Sequence, residues 1–373
     1  MKPFFDYFVS NRFLMKEILL ESHNIGNLFF GFGQFNHHLI EAFSQQSSLL
    51  KEEHIRLTLL SKNPSQLATQ FSRDFSYKKY HSLQRKPLFR IRKKYDLWHS
   101  LNQNTKVEPY HDIPYLLTVH DVNFMEENTG ESLLKRQKLF KEKLQRSDAI
   151  TYISNYAKEM THHYFEVPNV KEYVIYNGSP SKTIEIPETY TPEIVPNQPY
   201  LFSIGEFLEK KNFHTLVEML EHLPEVSLVL SGKRTTSYGE KIETLIKKLQ
   251  LQNRVFITGK ISELDKNYYY KNCLAFTFPS LREGFGIPPI EAMKYGKLVF
   301  LSNKSSLPEV GGKHAFYWEH FAPKYMAEVV LEGLNEYQNN TEEYQKNYRD
   351  HANSYSWDKT ALDYLEVYKS LLK

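Results

Sequence analysis

Cysteine is almost absent from this sequence, with Cys273 the single one among 373 residues. One thiol cannot form a disulfide framework, nor the cysteine clusters that hold structural zinc or iron–sulfur centres. This content is typical of a reducing compartment. Because Cys273 lies inside an apolar run, we expect it to be a buried packing residue.

Long hydrophobic runs are also absent. The apolar N-terminus is interrupted by Asp6, Arg12 and Lys16, and no other stretch approaches the roughly 18 apolar residues that a membrane helix needs. We therefore expect a cytoplasmic protein without a signal peptide.

A large net charge is missing, but the charge is unevenly distributed. The formal net charge is +3, with +5 over residues 1–180 and −2 over residues 181–373. Residues 78–94 carry eight Lys or Arg side chains and no Asp or Glu. We expect an anionic partner to meet this side of the protein, with a solvated surface as the alternative.

Two common phosphate-binding motifs do not occur. No G-x4-G-K-[ST] loop is found, which argues against a kinase or NTPase. A dinucleotide fingerprint starting at Gly31-Phe32-Gly33 would need a third glycine where the chain has Asn36. We expect no metal at the histidine pairs 37–38 and 162–163, and no nucleic-acid partner.

The length favours two domains, and strands alternate with helices in two series. Predicted strands are 16–21, 54–60, 95–99, 114–119, 149–153, 172–176, 200–204, 226–230, 254–258, 274–278 and 297–301; predicted helices are 34–50, 131–147, 155–166, 212–221, 238–250, 262–271, 288–295, 323–338 and 357–372. Residues 178–199 contain five prolines and no helical periodicity, which indicates a linker. We predict an α/β fold of two Rossmann-like, doubly wound parallel-sheet domains facing a cleft. The expected parts are 1–180, a linker 181–199, a second domain 200–350, and a C-terminal helix 351–373 that crosses back to the first domain.

The segment FPSLREGFGIPPIEAMKYG at 278–296 carries the most chemical information. A buried strand is followed by a glycine-rich loop and by Pro288 and Pro289, which suit the first turn of a helix. Glu283 and Glu291 flank a helix N-terminus that suits a diphosphate, and Glu291 is expected in the first turn. Two carboxylates could accept hydrogen bonds from sugar and ribose hydroxyls, so the pattern fits a nucleotide sugar.

This block resembles the signature of the retaining, GT-B-fold glycosyltransferase family 4, also called glycosyl transferases group 1. The resemblance continues to SNKSSLPEVGG at 302–312 and covers roughly residues 16–370. Matching segments are YDLWH at 95–99, TVHD at 118–121, YISNYAKE at 152–159, VIYNG at 174–178, IGEFLEKKN at 204–212 and VFITGKISELD at 255–265. The resemblance implies a metal-independent hexosyltransferase. The sequence has no D-x-D motif, the metal–nucleotide motif of metal-dependent glycosyltransferases, which agrees with this.

The resemblance implies a role for each matching residue. Glu283 would contact the donor sugar, Glu291 the ribose, and Lys211 the diphosphate, while His120 would lie near the sugar. The family often has an arginine where this chain has Glu206, so Arg234 or Lys233 is expected to supply a second cation. The implied catalytic residues are His120 and Glu283, and the implied donor-binding residues are Gly31, Gly33, Gly205, Lys211, Arg234, Ile261, Gly284, Phe285, Gly286, Ile287 and Glu291.

The implied donor is a nucleotide sugar, GDP-mannose or a UDP-sugar, with no other cofactor. The implied acceptor is a glycan or lipid-linked glycan of bacterial lipopolysaccharide, capsule or another envelope polysaccharide. Residues 78–94 would then hold the protein at the inner face of the plasma membrane. Two alternatives stay open, namely a non-catalytic sugar- or nucleotide-binding subunit, which Glu206 favours, and a phosphorylase with lysine-bound pyridoxal phosphate.

Overall fold

The computed structural model describes residues 14–28, 31–179 and 184–373, which form two parallel sheets covered by helices. The first sheet has the order β3-β2-β1-β4-β5-β6-β7. Its strands are β1 (Lys16–Leu20), β2 (Ile55–Ser61), β3 (Ser76–Lys79), β4 (Leu97–Ser100), β5 (Tyr115–Val119), β6 (Ala149–Tyr152) and β7 (Lys171–Val174). Its helices are α1 (Gly31–Gln45), α2 (Ser47–Glu52), α3 (Pro64–Gln70), α4 (Phe124–Glu127), α5 (Gly130–Arg146) and α6 (Asn155–Tyr164).

The second sheet has the order β10-β9-β8-β11-β12-β13. Its strands are β8 (Tyr200–Ile204), β9 (Ser227–Ser231), β10 (Val255–Gly259), β11 (Ala275–Phe278), β12 (Val299–Ser302) and β13 (Phe316–Trp318). The helices that follow are α7 (Phe213–Met219), α8 (Ser237–Lys248), α9 (Glu263–Asn272), α10 (Ile287–Lys294), α11 (Leu307–Gly311), α12 (Pro323–Asn339), α13 (Thr341–Asn353) and α14 (Trp357–Leu371). Single 3-10 turns occur at Ser82–Arg85, Pro87–Phe89, Glu209–Lys211, Leu220–His222 and Gly312–His314.

The central strands are nearly continuous apolar runs because helices cover both faces of each sheet. All residues of β5, β9, β11 and β12 are buried, for example. Cys273 is also buried, as predicted. Parallel pairing brings the carboxyl ends of the strands to one edge of each sheet, where open α/β folds bind ligands.

The last helix, α14, packs against α1 of the first sheet and joins the two halves of the chain. Its Tyr368 hydroxyl lies 2.8 Å from Nδ1 of His99, and its Tyr364 hydroxyl lies 3.0 Å from Oγ1 of Thr118. His99 also contacts Thr118 through Nε2, at 2.8 Å. This buried polar network fixes α14 on the first domain, because each of these groups would lose a partner if the helix shifted.

Several elements differ from the prediction. The predicted helix 34–50 is two helices, and α1 begins at Gly31 rather than at Gln34. The short elements β3, β13, α3, α4, α11 and the polar α13 were not predicted. Within the part of the chain that the structure describes, no helix has the length and apolar character needed to cross a membrane.

Candidate active site

The edges of the two sheets meet at Gly284. A side chain at this position would place its Cβ 2.5 Å from the carbonyl oxygen of His120. On the other side, the Ser154 hydroxyl donates to the Gly284 carbonyl at 2.7 Å. Only glycine therefore permits the loop after β11 to approach the loops after β5 and β6 this closely.

Lys211 and Glu283 form an ion pair beside this contact. Lys211 Nζ lies 2.5 Å from Glu283 Oε1, and the two side chains are 14% and 16% exposed. The aliphatic part of the Lys211 side chain packs against Gly205, because a Cβ added at Gly205 would lie 3.1 Å from Lys211 Cε. Its ammonium lies 4.8 Å from the centroid of the Phe278 ring. The cation is thus held at the edge of the second sheet, against a carboxylate and an aromatic face.

Hydroxyl groups hold the backbone around Glu283. The Glu283 N–H donates to Ser305 Oγ at 3.1 Å, and Ser306 Oγ donates to the carbonyl oxygens of Glu283 and Phe285 at 3.1 and 2.5 Å. Gly286 then adopts φ +118° and caps α10. These contacts fix the direction in which the Glu283 carboxylate points.

The N-terminus of α10 differs from an ordinary anion site. Pro288 and Pro289 lack N–H groups, so only Ile287 and Ile290 among its first four residues carry donors. The helix dipole remains, and so does the positive end that it directs toward the glycine-rich loop. The cation of Lys211 would therefore have to supply much of the attraction for a diphosphate.

Glu291 was expected in the first turn of α10, but it lies in the second, because the helix begins at Ile287. Its carboxylate is 13% exposed and lies 3.0 Å from Lys266 Nζ. The hydroxyl of Tyr270 donates to it at 2.9 Å. Burial disfavours charge on Lys266, but the carboxylates of Glu291 and Glu263 outweigh burial and raise the lysine pKa. A carboxylate can accept about four hydrogen bonds, so Glu291 retains capacity for ribose hydroxyls.

His120 is buried at the edge of the first sheet. Its Nε2 lies 2.8 Å from the Leu101 carbonyl, and its backbone N–H donates to Gln103 Oε1 at 3.1 Å. Burial lowers the pKa of His120 to about 4, so the ring is neutral near pH 7. Because a carbonyl only accepts, the proton is on Nε2. The edges of Phe32 and Phe35 contact the ring.

Asp121 places a second carboxyl group near Glu283, and the sequence analysis assigned it no role. Burial raises the pKa of Asp121; the carboxylates of Glu127 and Glu283 act in the same direction, and Lys210 opposes them. Its Oδ1 accepts from the Asn123 N–H at 3.0 Å. The site therefore combines the cations of Lys210 and Lys211 with two carboxyl groups from opposite domains.

Gly31 and Gly33 lie in the first turn of α1, not in a loop ahead of it. At Gly33 a Cβ would lie 2.0 Å from the Asn27 carbonyl oxygen, whereas a Cβ added at Gly31 would have no atom of the described residues within 4 Å. Gly33 is thus required for packing. Gly31 leaves open space of the kind that a ligand could approach.

The second predicted cation is not found at the Lys211–Glu283 pair. Arg234 is 52% exposed and pairs with Glu243 of α8 at 3.4 Å. Lys233 pairs with Glu206 at 3.1 Å. Ile261 lies just after β10 and packs against the core of the second domain.

Contacts across the cleft were missed by sequence reasoning. Glu309 accepts hydrogen bonds from the backbone N–H groups of Asn155 and Tyr156, at 2.7 and 3.3 Å, and so caps α6 of the other domain. Arg282 pairs with Glu126 at 2.6 Å. Glu309 lies inside the SSLPEVGG segment, but nothing in that segment identifies its partner.

The loop after β1 holds another feature that the sequence did not indicate. Glu21 is fully buried and pairs with Nδ1 of His23, whose Nε2 lies 3.4 Å from the Arg85 guanidinium. The His23 ring stacks on Tyr80, with 4.4 Å between centroids. Glu21 and Tyr80 directly follow β1 and β3, so this cluster lies at the edge of the first sheet where its strands end.

Comparisons with known proteins agree with this geometry. The family described as Glycosyl transferases group 1 matches residues 190–354. The serotype-specific mannosyltransferase WbdA of Escherichia coli is 29% identical over 184 residues, which are 45% of this chain and 22% of WbdA. The O-antigen chain mannosyltransferase RfbU of Salmonella typhimurium is 25% identical over 58% of this chain and 61% of its own.

Among solved structures, a glycosyltransferase from Rickettsia africae superimposes with a TM-score of 0.71 at 19% identity. The superposition covers 96% of this chain and 99% of that one. It shows that both chains share the two-domain GT-B fold. The chain spans about a fifth of the length of the WbdA proteins that it matches.

Proposed function

Residues 190–354 form a glycosyl transferases group 1 domain, and from this premise we propose that the chain is a retaining glycosyltransferase. It moves a sugar from a nucleotide diphosphate sugar to a hydroxyl of a glycan or lipid-linked acceptor. The observation that carries the proposal is the Lys211–Glu283 pair at the Gly284–His120 contact, where the two sheet edges meet. A cation and a carboxylate held together there suit a diphosphate leaving group and a sugar.

The proposed reaction is front-face attack. The bond between the anomeric carbon and the phosphate oxygen breaks, and a bond to the acceptor oxygen forms on the same face of the sugar. The acceptor proton moves to the departing phosphate oxygen. Lys211 stabilises the charge that develops on the diphosphate, and Glu283 orients the sugar and stabilises its positive charge.

The other implied donor-binding residues surround this pair. Glu291 accepts the ribose hydroxyls, and the backbone at Gly205 and Ile261 faces the nucleotide. The open space at Gly31 admits the diphosphate to the first domain. None of these roles needs a metal ion, so we expect transfer to persist after treatment with a chelator.

We favour GDP-mannose as the donor, followed by UDP-sugars, because two relatives carry the name mannosyltransferase. The name of RfbU also supports an O-antigen or related envelope glycan as the acceptor.

The decisive experiment compares wild type with Glu283→Gln, using a panel of nucleotide sugars. A stabilising donor is first identified by thermal shift, since a ligand at 100 times its Kd adds about 2.7 kcal/mol. Transfer and release of free nucleotide are then measured. We expect Glu283→Gln to lower kcat at least about 100-fold, equivalent to roughly 2.7 kcal/mol, without unfolding the protein.

The same experiment separates the alternatives. A non-catalytic subunit would bind a nucleotide sugar without releasing nucleotide, even as wild type. A phosphorylase would show the absorbance of bound pyridoxal phosphate. Equal turnover of wild type and Glu283→Gln would overturn the role of Glu283.

We also propose that residues 78–94 bind an anionic membrane. Beside the basic side chains, the 3-10 turns expose Leu83, Leu88 and Phe89 to 50%, 82% and 50%. Exposed apolar side chains among cations suit a lipid interface, where each cation contributes about 1 kcal/mol. Of these cations, Lys93 pairs with Glu17 at 2.6 Å.

The membrane proposal is tested by vesicle sedimentation. Changing Lys79, Lys86, Arg90 and Lys94 to Gln should weaken binding to anionic vesicles by at least tenfold. Changing Lys241, Lys247, Lys271 and Lys324 in the second domain is the matched control. Equal binding of the two variants to anionic vesicles would show that residues 78–94 are not the membrane-binding surface.

A further inference from the structure

One face of α1 brings three potential metal ligands together. His37, His38 and Glu41 each place one ligand atom within 4.8 Å of the other two. Nδ1 of His38 lies 3.5 Å from Oε2 of Glu41. Two imidazoles and a carboxylate are a donor set that suits Zn2+ and other divalent first-row transition metals.

Neighbouring aromatic rings hold the two imidazoles in place. The ring of His38 stacks on Trp357, with 5.5 Å between centroids and 27° between planes. The ring of His37 meets the edge of Phe71 at 5.5 Å. These ring contacts restrict the orientation of both imidazoles beside Glu41.

A cavity of about 240 Å³ opens beside these side chains, and His38 and Glu41 line it. Ser179 and Trp357 also line it, and they are only 1% and 5% exposed. Within the described residues, Ser179 Oγ and Trp357 Nε1 have no hydrogen-bond partner. Both atoms are shielded from solvent, so the access that the cavity gives a small ligand is to the side chains of His38 and Glu41.

The chain contains an internal comparison. The sequence His-His-x-x-Glu occurs at 37–41 and again at 162–166. In the second copy α6 ends at Tyr164, so Glu166 lies beyond the helix, and His162 pairs with Glu172 at 2.8 Å. Among the described residues only the first copy forms a metal-compatible cluster. The two copies differ because α1 continues past Glu41, which keeps this carboxylate on the helix with the two histidines, whereas α6 ends before Glu166.

The sequence led us to expect no metal at this histidine pair, but the structure places Glu41 beside both rings, and we propose that His37, His38 and Glu41 bind a divalent first-row transition metal such as Zn2+. The protein supplies three ligands, and the cavity leaves room for water or an anion to complete the coordination. Because His38 stacks on the first residue of α14, bound metal stabilises the packing of α1 against that helix. The site uses neither Lys211 nor Glu283, although His38 lies within electrostatic reach of Glu291 and Lys294 of α10 lines the same cavity. The proposed transfer chemistry assigns no step to the metal.

The test uses the full-length chain, freed of metal by a chelator and then titrated with ZnCl2 by calorimetry. We expect one equivalent to bind to wild type and the Tm to rise with zinc concentration. The variants His37→Asn and Glu41→Gln should each weaken binding at least tenfold. Their Tm without metal should remain close to that of wild type, which separates loss of ligands from misfolding.

The second histidine pair supplies the control. A His162→Asn/His163→Asn variant should bind zinc as wild type does, and Co2+ should give visible d–d absorption in both. Absence of stoichiometric binding to wild type would overturn the proposal. Equal weakening by the 37–41 and 162–163 variants would overturn it as well, since binding would then be unspecific.

Discussion

At the scale of single residues, the chemistry of the site depends on where each charge is held. Lys211 is largely buried against Glu283, whereas Arg234 is half exposed and directed to α8. A partly buried cation acts through a lower effective dielectric and is screened less by salt. Lys211 should therefore contribute far more to donor binding and turnover than Arg234.

We expect Lys211→Gln to lower kcat/KM for the nucleotide sugar by about 100- to 1,000-fold, the usual effect of removing one group that stabilises developing charge. Arg234→Gln is the matched control, and its kcat/KM should stay within about threefold of wild type. Steady-state kinetics with donor varied would check both. Similar losses in the two variants would mean that Arg234 turns toward the diphosphate during the reaction.

Two buried histidines make stability dependent on pH. Burial lowers the pKa of His99 to about 3 and that of His120 to about 4, from an ordinary value near 6.5. Between pH 6.5 and these values the unfolded chain binds more protons than the folded chain, so the free energy of unfolding falls as the pH falls. Each of the two histidines should therefore make the free energy of unfolding about 2 kcal/mol lower at pH 5 than at pH 7.

Denaturant unfolding at pH 7 and at pH 5 would measure this loss. His99→Gln removes one of the two groups, so its free energy of unfolding should fall about 2 kcal/mol less than that of wild type over the same interval. The comparison uses the change with pH rather than the stability at one pH, because His99→Gln also loses hydrogen bonds. An unchanged pH dependence would show that His99 takes up its proton over the same pH range in the folded and the unfolded chain.

At the scale of elements, the sequence identified the central strands and long helices, because their apolar patterns reflect burial on both faces or one face. It missed β3 and β13, which are edge strands of four and three residues. It also missed α13, whose 13 residues are mostly polar and bury only Tyr348 and Ala352. Short edge strands and polar helices owe their structure to neighbours, which local patterns do not show.

The candidate site was predictable to a similar extent. Motif matches pointed to Glu283 in the loop after a strand and to Lys211 just ahead of a helix, and the structure brings the two side chains together. The pairing of Arg234 with Glu243 depends on a side-chain direction, and the contact of Glu309 with Asn155 of α6 spans 154 residues of sequence. Local sequence patterns do not predict which partner such a side chain contacts.

Gly31 and Gly33, both in the first turn of α1, allow a matched test of how tightly the start of this helix is packed. At Gly33 an added Cβ would overlap the Asn27 carbonyl, but at Gly31 it would meet no described part of the chain within 4 Å. We expect Gly33→Ala to lower the free energy of unfolding by about 1–3 kcal/mol through overpacking. Gly31→Ala should leave stability nearly unchanged, and denaturant unfolding of both would check this. Equal stability of the two variants would show that the 24–27 loop moves aside easily.

At the scale of the whole molecule, contacts across the cleft hold the two domains close together. Glu309 of the second domain accepts N–H groups at the start of α6, and Lys210 and Arg282 pair with Glu127 and Glu126 of α4. A negative charge at a helix N-terminus is favourable both as a cap and toward the helix dipole. Glu309 therefore favours the closed arrangement through an interaction that an open cleft would lose.

We expect Glu309→Ala to shift the chain toward a more open arrangement. Loss of an N-cap costs about 1 kcal/mol, which corresponds to roughly a fivefold change in the ratio of closed to open molecules. The radius of gyration from small-angle X-ray scattering should rise, and the donor KM should rise with it, because Gly284 and His120 would separate. Glu328→Ala is the control, since Glu328 is exposed on α12 and its ion pair with Lys324 lies within that helix. If both variants have the wild-type radius and KM, the contacts at α4 and α14 are sufficient to keep the cleft closed.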